Sequence, residues 1–177
     1  MHEVVNTVNA LSEDAVFAAI INRTITEFAD DRITKVRQNA FHKCGALTSI
    51  YLPNATVIES NAFSDCYALT TVYLPNVTSI DTNGFRECKT LTSIELPNAI
   101  SIGGSAFRDC KALNKVVIET PSVCRLINTS AFLDMPIASG TGYVYVPDGL
   151  VDAYKEDSVW STYAAQIKPL SELPSDA

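Results

Sequence analysis

Phenylalanine returns every 22 residues through the middle of this chain, at Phe41, Phe63, Phe85 and Phe107. Cysteine keeps the same step at Cys44, Cys66, Cys88 and Cys110, as do Leu47, Leu69, Leu91 and Leu113, and Ile58, Ile80 and Ile102. Self-similarity at such a period constrains the fold more than any composition can. Each unit is too short to bury its own apolar face, so copies must stack into a solenoid and share one core.

Within a unit, the pattern L-x-x-[IV]-x-[LI] predicts a short strand over residues 47–52, 69–74, 91–96 and 113–118. Alternation turns Ile50 and Leu52 inward and Ser49 and Tyr51 outward. Pro53, Pro75 and Pro97 then end the strand by withholding a ladder N–H. Ile58, Ile80 and Ile102 mark the return across the solenoid. Asn39, Asn61, Asn83, Ser105 and Ser130 precede each Ala/Gly-Phe pair and read as N-caps, each opening a single helical turn on the outer, convex side. Phe and Cys from that turn, at i and i+3, point into the core.

The ends depart from the repeat. Ser12, Glu13 and Asp14 before Ala15–Ile21 read as a capped amphipathic helix, so residues 1–24 are expected as an N-terminal helical cap. Asp30 stands where Leu52 stands one unit later, which suits a terminal, degenerate rung. Phe107 to Phe132 is 25 residues, so three are inserted around Pro121 to Arg125. Tyr143 to Pro147 reads as a last strand. Two helical segments follow, the second placing Trp160, Tyr163, Ala164 and Ile167 on one face that seals the far end. Residues 25–142 are thus the repeats and 143–177 a terminal strand with a C-terminal helical cap. Residues 171–177 read as a frayed tail.

The net charge is −7, with no basic block, which argues against nucleic-acid binding. No apolar run approaches the length of a membrane span, so membrane insertion is not expected. No secretory leader is read at the start and no wall anchor at the C-terminus, which leaves open a signal removed upstream, another route of export, or a place inside the cell. Four of the five cysteines form a ladder with one sulfur per rung, unlike converging metal ligands. Free, buried thiols are expected, although neighbouring rungs at roughly 5 Å leave disulfide pairing open.

No catalytic constellation is found. His42 occupies the position of Ser64, Arg86 and Arg108 on the outer side, and Gly103-Gly104 reads as a turn rather than a phosphate cradle. Asp65, Glu87 and Asp109 would stack in file and could be asked to hold Ca²⁺, but Arg86, Lys89, Arg108 and Lys111 beside them favour a solvated face of ion pairs. No enzyme activity, cofactor or metal is expected. The outward row Ala29, Tyr51, Tyr73, Glu95, Val117 and Tyr145, with Tyr143 beside it, is the candidate binding surface, since exposed tyrosines suit protein or carbohydrate contacts.

The pattern L-x-x-I-x-L-P-N-x-x-x-I-x-x-x-A-F-x-x-C-x-x-L resembles the BspA-type leucine-rich repeats of bacterial surface and secreted proteins. Tyr143-Val144-Tyr145-Val146-Pro147 with Val151-Asp152-Ala153-Tyr154-Lys155 and Trp160 looks like a cap found on such proteins. More loosely, the chain is similar to leucine-rich proteins of gut anaerobes and their prophage tail regions. The position three after Leu52 is Ala55, so the asparagine ladder of commoner leucine-rich classes is not expected. The resemblance implies an α/β, right-handed leucine-rich solenoid. About six short parallel strands would line its concave face, with single helical turns opposite and helical caps at both ends. It further implies a non-enzymatic, adhesin-like module at the cell surface or secreted, binding a protein or glycan through its strand face. Two capped ends imply a monomer. A structural or receptor-binding part of a phage or tail-like particle, hence a virion component, is the alternative.

Overall fold

The structure, a computed structural model, describes residues 22–175. The helix expected at the N-terminus lies outside them. The described chain winds as stacked rungs, most of which contribute two short strands. One row runs β1 (Glu27–Ala29), β3 (Ser49–Tyr51), β5 (Thr71–Tyr73), β7 (Ser93–Leu96), β9 (Lys115–Ile118) and β11 (Tyr143–Val146). The return crossing supplies β2 (Lys35–Val36), β4 (Val57–Ile58), β6 (Ser79–Ile80), β8 (Ser101–Ile102) and β10 (Arg125–Leu126). All pairings are parallel. Glu27 faces Ser49 and Ser49 faces Thr71, so the sequence period of 22 is the hydrogen-bond register itself.

The core lies between the two rows and contains every ladder residue named from the sequence. Phe41, Phe63, Phe85, Phe107 and Phe132 stack nearly parallel, with centroids 5.1, 5.1, 5.6 and 5.9 Å apart in that order. Phe28 continues the column at 4.9 Å and Trp160 ends it at 5.6 Å. The cysteines are buried in the same core and form no disulfide. Cys66, Cys88 and Cys110 each donate an S–H to the carbonyl of the phenylalanine 25 residues earlier, at 3.1, 3.3 and 3.0 Å. A small apolar side chain with one weak donor fits a buried site facing one carbonyl.

The turn side differs from expectation. Asn39, Asn61, Asn83 and Ser105 are not N-caps; their φ values of 60, 57, 58 and 55° place them in the left-handed region. The turns that follow do not propagate as helices, and the reason is competition for the backbone. Ala40, His42 and Cys44 donate within the rung, to Arg37, Asn39 and Phe41. Phe41 and Lys43 donate to the next rung, to Ala62 and Ser64, both at 2.8 Å. Alternate N–H groups therefore bind along the solenoid axis, which an α-helix would forbid. Among the described repeat turns, only the one after the insertion forms a 3₁₀ helix, at Thr129–Phe132, and its cap is Asn128 rather than Ser130.

The far end also corrects the sequence reading. Trp160–Gln166 is a kinked 3₁₀ segment, and Ile167 belongs not to its face but to a further strand, β12 (Ile167–Pro169), parallel to β11. Pro169 biases Lys168 toward extended backbone, and the same proline blunts this outermost edge. The tail is tied as well: Leu170–Glu172 forms a 3₁₀ turn whose Ser171 N–H reaches Asp148 Oδ1 at 3.0 Å. On the other row, β10 is the end strand, and cap side chains serve the backbone beside it. Cys124 N–H donates to Tyr154 Oη at 2.8 Å and Trp160 Nε1 donates to Cys124 O at 2.6 Å. At the opposite end, the inward charge of Asp30 is held by Arg32, which donates from Nε at 3.0 Å and Nη2 at 2.8 Å.

The strand row is interrupted once. β1, β3 and β5 form one sheet, and β7, β9, β11 and β12 another, while the return row pairs continuously. Across the interruption the rungs stay joined by side chains. Thr90 Oγ1 donates to the carbonyls of Tyr67 and Leu69, and Asn98 Nδ2 to that of Pro75. Thr70 N–H donates to Thr48 O and Leu52 N–H to Tyr73 O. Among the described residues, the equivalent Thr92 and Leu74 amides make no such bond between the third and fourth rungs. Amide exchange followed by NMR is therefore expected to be faster at Thr92 and Leu74 than at Thr70 and Leu52. The aromatic column makes a second prediction. Phe85→Ala should cost about 3–5 kcal/mol in denaturant unfolding, whereas Tyr67→Ala, on the exposed turn, should cost less than about 1 kcal/mol.

Candidate binding face

The outward positions of the strand row do not form one uniform surface. Tyr51 and Tyr73 stand in register on β3 and β5 with rings stacked at 4.6 Å and 6°. Tyr73 is 46% exposed and Tyr51 half-buried. Glu95, on the far side of the interruption, is exposed. Val117 and Tyr145, expected to be presented with them, are buried, at 1% and 7% exposure. Val117 is a short side chain in register between the longer Glu95 and Tyr145. Tyr145 is flanked by Lys168 on β12, the strand absent from the sequence reading. Tyr143 remains 37% exposed, with Lys168 Nζ 5.8 Å from its ring centroid, a cation–π arrangement. The exposed part of the face is thus two aromatic patches, Tyr51–Tyr73 and Tyr143, separated by Glu95.

The turn side presents its acidic file as ion pairs. Glu87 meets Lys89 at 3.2 Å and Arg86 at 3.6 Å; Asp109 meets Lys111 at 2.7 Å and Arg108 at 3.4 Å. The Lys111 hydrogen bond holds the Asp109 carboxyl below its ordinary range. Asp65 accepts from Tyr67 Oη at 3.2 Å, and Lys89 Nζ stands 4.9 Å from that ring's centroid. Among the described residues, no cluster of His, Cys, Asp and Glu has metal-binding geometry. These acidic residues have a backbone role the sequence did not disclose: Asp65, Glu87, Asp109 and Asp134 all have φ near +60°.

His42 Nδ1 lies 3.7 Å from Asp65 Oδ2, beyond hydrogen-bond distance, on the turn side away from the strand face. Gly103 and Gly104 serve packing. A Cβ on Gly103 would lie 2.6 Å from the Asp81 carbonyl carbon, and one on Gly104 2.9 Å from Asn128 Nδ2. An unforeseen polar ladder runs past the prolines, where Asn54, Asn76 and Asn98 donate to carbonyls one rung back at 2.8, 2.7 and 2.8 Å. The recurring Pro-Asn pair was its signal in the sequence.

This geometry matches a known repeat class. The family model for the BspA type leucine-rich repeat region matches residues 13–141 in six copies. The chain belongs to the BspA-type leucine-rich repeat family. The first copy begins within residues 1–24, expected as a separate cap. Among solved structures, this BspA-type chain is similar to the T. pallidum leucine-rich repeat protein, at 26% identity and a TM-score of 0.54 over 71% of this chain and 54% of that one. A leucine-rich cell surface protein from Faecalibacterium prausnitzii A2-165 is 25% identical, with a TM-score of 0.55 over 76% and 45%. The pneumococcal vaccine antigen PcpA shares the fold, with a TM-score of 0.58 at 16% identity over 81% and 41%. The chain spans about half or less of the length of these proteins. No curated protein matches it in sequence.

Three buried thiols of the BspA-type repeats, Cys66, Cys88 and Cys124, are held protonated. Burial pushes Cys66 and Cys88 well above the ordinary value of 9.0, and Cys124 up to about 12. An unfolded chain loses these protons from pH 9 upward while the folded one keeps them, so stability present below pH 9 must decline as pH rises toward 12. Denaturant midpoints measured from pH 8 to 11 should fall, and Cys66→Ala should make that fall shallower.

Proposed function

We propose that this chain is a non-enzymatic recognition module that docks a protein partner through its strand face. The observation that carries the reading is the stacked, solvent-facing Tyr51–Tyr73 pair. Two rings held parallel on adjacent strands give a rigid amphipathic platform, and each hydroxyl can bond at its rim. Little ordering entropy remains for such side chains to lose on binding, which is why tyrosine is favoured at interfaces. Glu95 borders the platform and supplies charge to select a partner. The similar Faecalibacterium protein is described as a cell surface protein, which supports reading this chain as a surface or exported module rather than a virion component.

The test is an array of extracellular-matrix and host-surface proteins probed with the full chain and with Tyr73→Ala. Loss of one ring from a central aromatic pair is expected to cost about 2 kcal/mol, or roughly thirtyfold in Kd, with unchanged thermal unfolding. A partner bound equally by the variant would place the contact surface elsewhere.

A further inference from the structure

Along the flank where the strand row turns into the return row, beyond Pro53, Pro75 and Pro97, the rungs line an open groove of about 600 Å³. That volume falls within the range of small-molecule sites, in a shape open to solvent along its length. Its lining is distinct from the tyrosine face in position and in chemistry. Asn54, Asn76 and Asn98 line it, and each uses a side-chain N–H on a carbonyl of the preceding rung. What remains for a ligand on each amide is its Oδ1 acceptor and its second N–H. Thr56 and Thr78, beside them, donate their hydroxyl protons to Thr34 O and Thr56 O at 3.0 and 3.1 Å, so their oxygens also face a ligand as acceptors.

The lining contains no charged side chain. In a chain of net charge −7 it gives an anion no cationic partner, and it offers a cation no carboxylate. The partner that answers such a surface is neutral and rich in hydroxyl donors. The acceptors repeat with the rung step of about 4.8 Å, so they suit a linear chain of repeating units.

Two departures from the repeat converge here. Ile100 takes the position held by Thr34, Thr56 and Thr78 and is 63% exposed, the most exposed large hydrophobic residue described. Nothing in the rung requires an apolar group there, since the other copies manage with threonine. The three-residue insertion supplies Pro121 and Ser122 at the groove's end, forming a wall no other rung has. Ile100 and Pro121 offer aliphatic surface to the C–H face of a sugar ring, and Ser122 adds a hydroxyl.

We infer that this groove binds a linear, neutral oligosaccharide, with Asn54, Asn76 and Asn98 accepting from its hydroxyls and Ile100 under one ring. The site does not depend on the protein-docking face. The test is an NMR titration of the full chain with gluco-, manno-, xylo- and chito-oligosaccharides of four to six units, with an oligogalacturonate as the charged control. At least one neutral series should give saturable shifts at the amides of Asn76, Thr78, Ile100 and Ser122. Ile100→Thr, which restores the residue of the other rungs, should weaken binding about tenfold, while Tyr73→Ala should leave it unchanged. The inference is overturned if no neutral series perturbs these amides at millimolar concentration, or if Ile100→Thr binds as tightly as the parent. Equal binding of the oligogalacturonate would overturn it too.

Discussion

Every rung of this molecule must present its backbone in register to the rung before it, and most other features are consequences of that requirement. Parallel strands fix the rung step near 4.8 Å, and the phenylalanine column follows with ring centroids only slightly farther apart. On the turn side the same register decides which hydrogen bonds form. An N–H aimed along the axis finds a carbonyl one rung away, so helix propagation loses to stacking. The left-handed residues at both ends of each turn, Asn61 and Asp65 for example, let the chain alternate between the two directions. A left-handed conformation costs an L-residue about 1–2 kcal/mol. Here it is offset by axial bonds such as Phe63 N–H to Gly84 O at 2.8 Å and Asp65 N–H to Arg86 O at 2.8 Å.

A solenoid held by its neighbours is weakest where a neighbour is missing, and the C-terminal end shows how that is handled. The centroid distance along the phenylalanine column widens to 5.9 Å at Phe132, after the insertion. Beyond it, Trp160 and Tyr163 close the column, the latter edge-on at 5.5 Å. Tyr154 and Trp160 meet the backbone polar groups of Cys124 that a further rung would have met. Burial in this role pushes the Tyr154 hydroxyl up to about 12. The cap is therefore both an apolar lid and a set of side-chain hydrogen bonds standing in for a strand, while β12 extends the other row by a real one.

The sequence revealed most of this through period alone. Phe63, Cys66 and Leu69 announce their positions because each recurs at a fixed step, and their burial follows from the stacking that the step demands. Turn conformation was less legible: Asn61 before an Ala-Phe pair looks like an N-cap, because an N-cap and a left-handed turn favour the same residue. The β12 strand was hidden for a related reason, since Ile167 continues an apparent helical spacing from Trp160 and only Pro169 hints at extended backbone. On the candidate face, the alternation that marks Tyr73 as outward marks Val117 equally. Exposure depends on what stands in register on either side, and for Val117 those neighbours are the longer Glu95 and Tyr145.

A repeat also bears on where function can reside. Positions required by stacking must be the same in each copy, so they answer a ligand only with what their inter-rung bonds leave over, as the amides of Asn54, Asn76 and Asn98 do. Tyr51 and Tyr73, two rings side by side where the next rungs carry Glu95 and Val117, are not needed by the register. Neither is Ile100, which stands where three rungs use threonine. The interruption between β5 and β7 falls between the tyrosine pair and Glu95, leaving each part of the face on its own sheet. A partner that spans both would bridge two strand segments joined on this face by Thr90 and Asn98, the backbone pairing between these rungs lying on the return row and the turn side. Binding there would oppose separation of the sheets at the one place where their own strands do not pair.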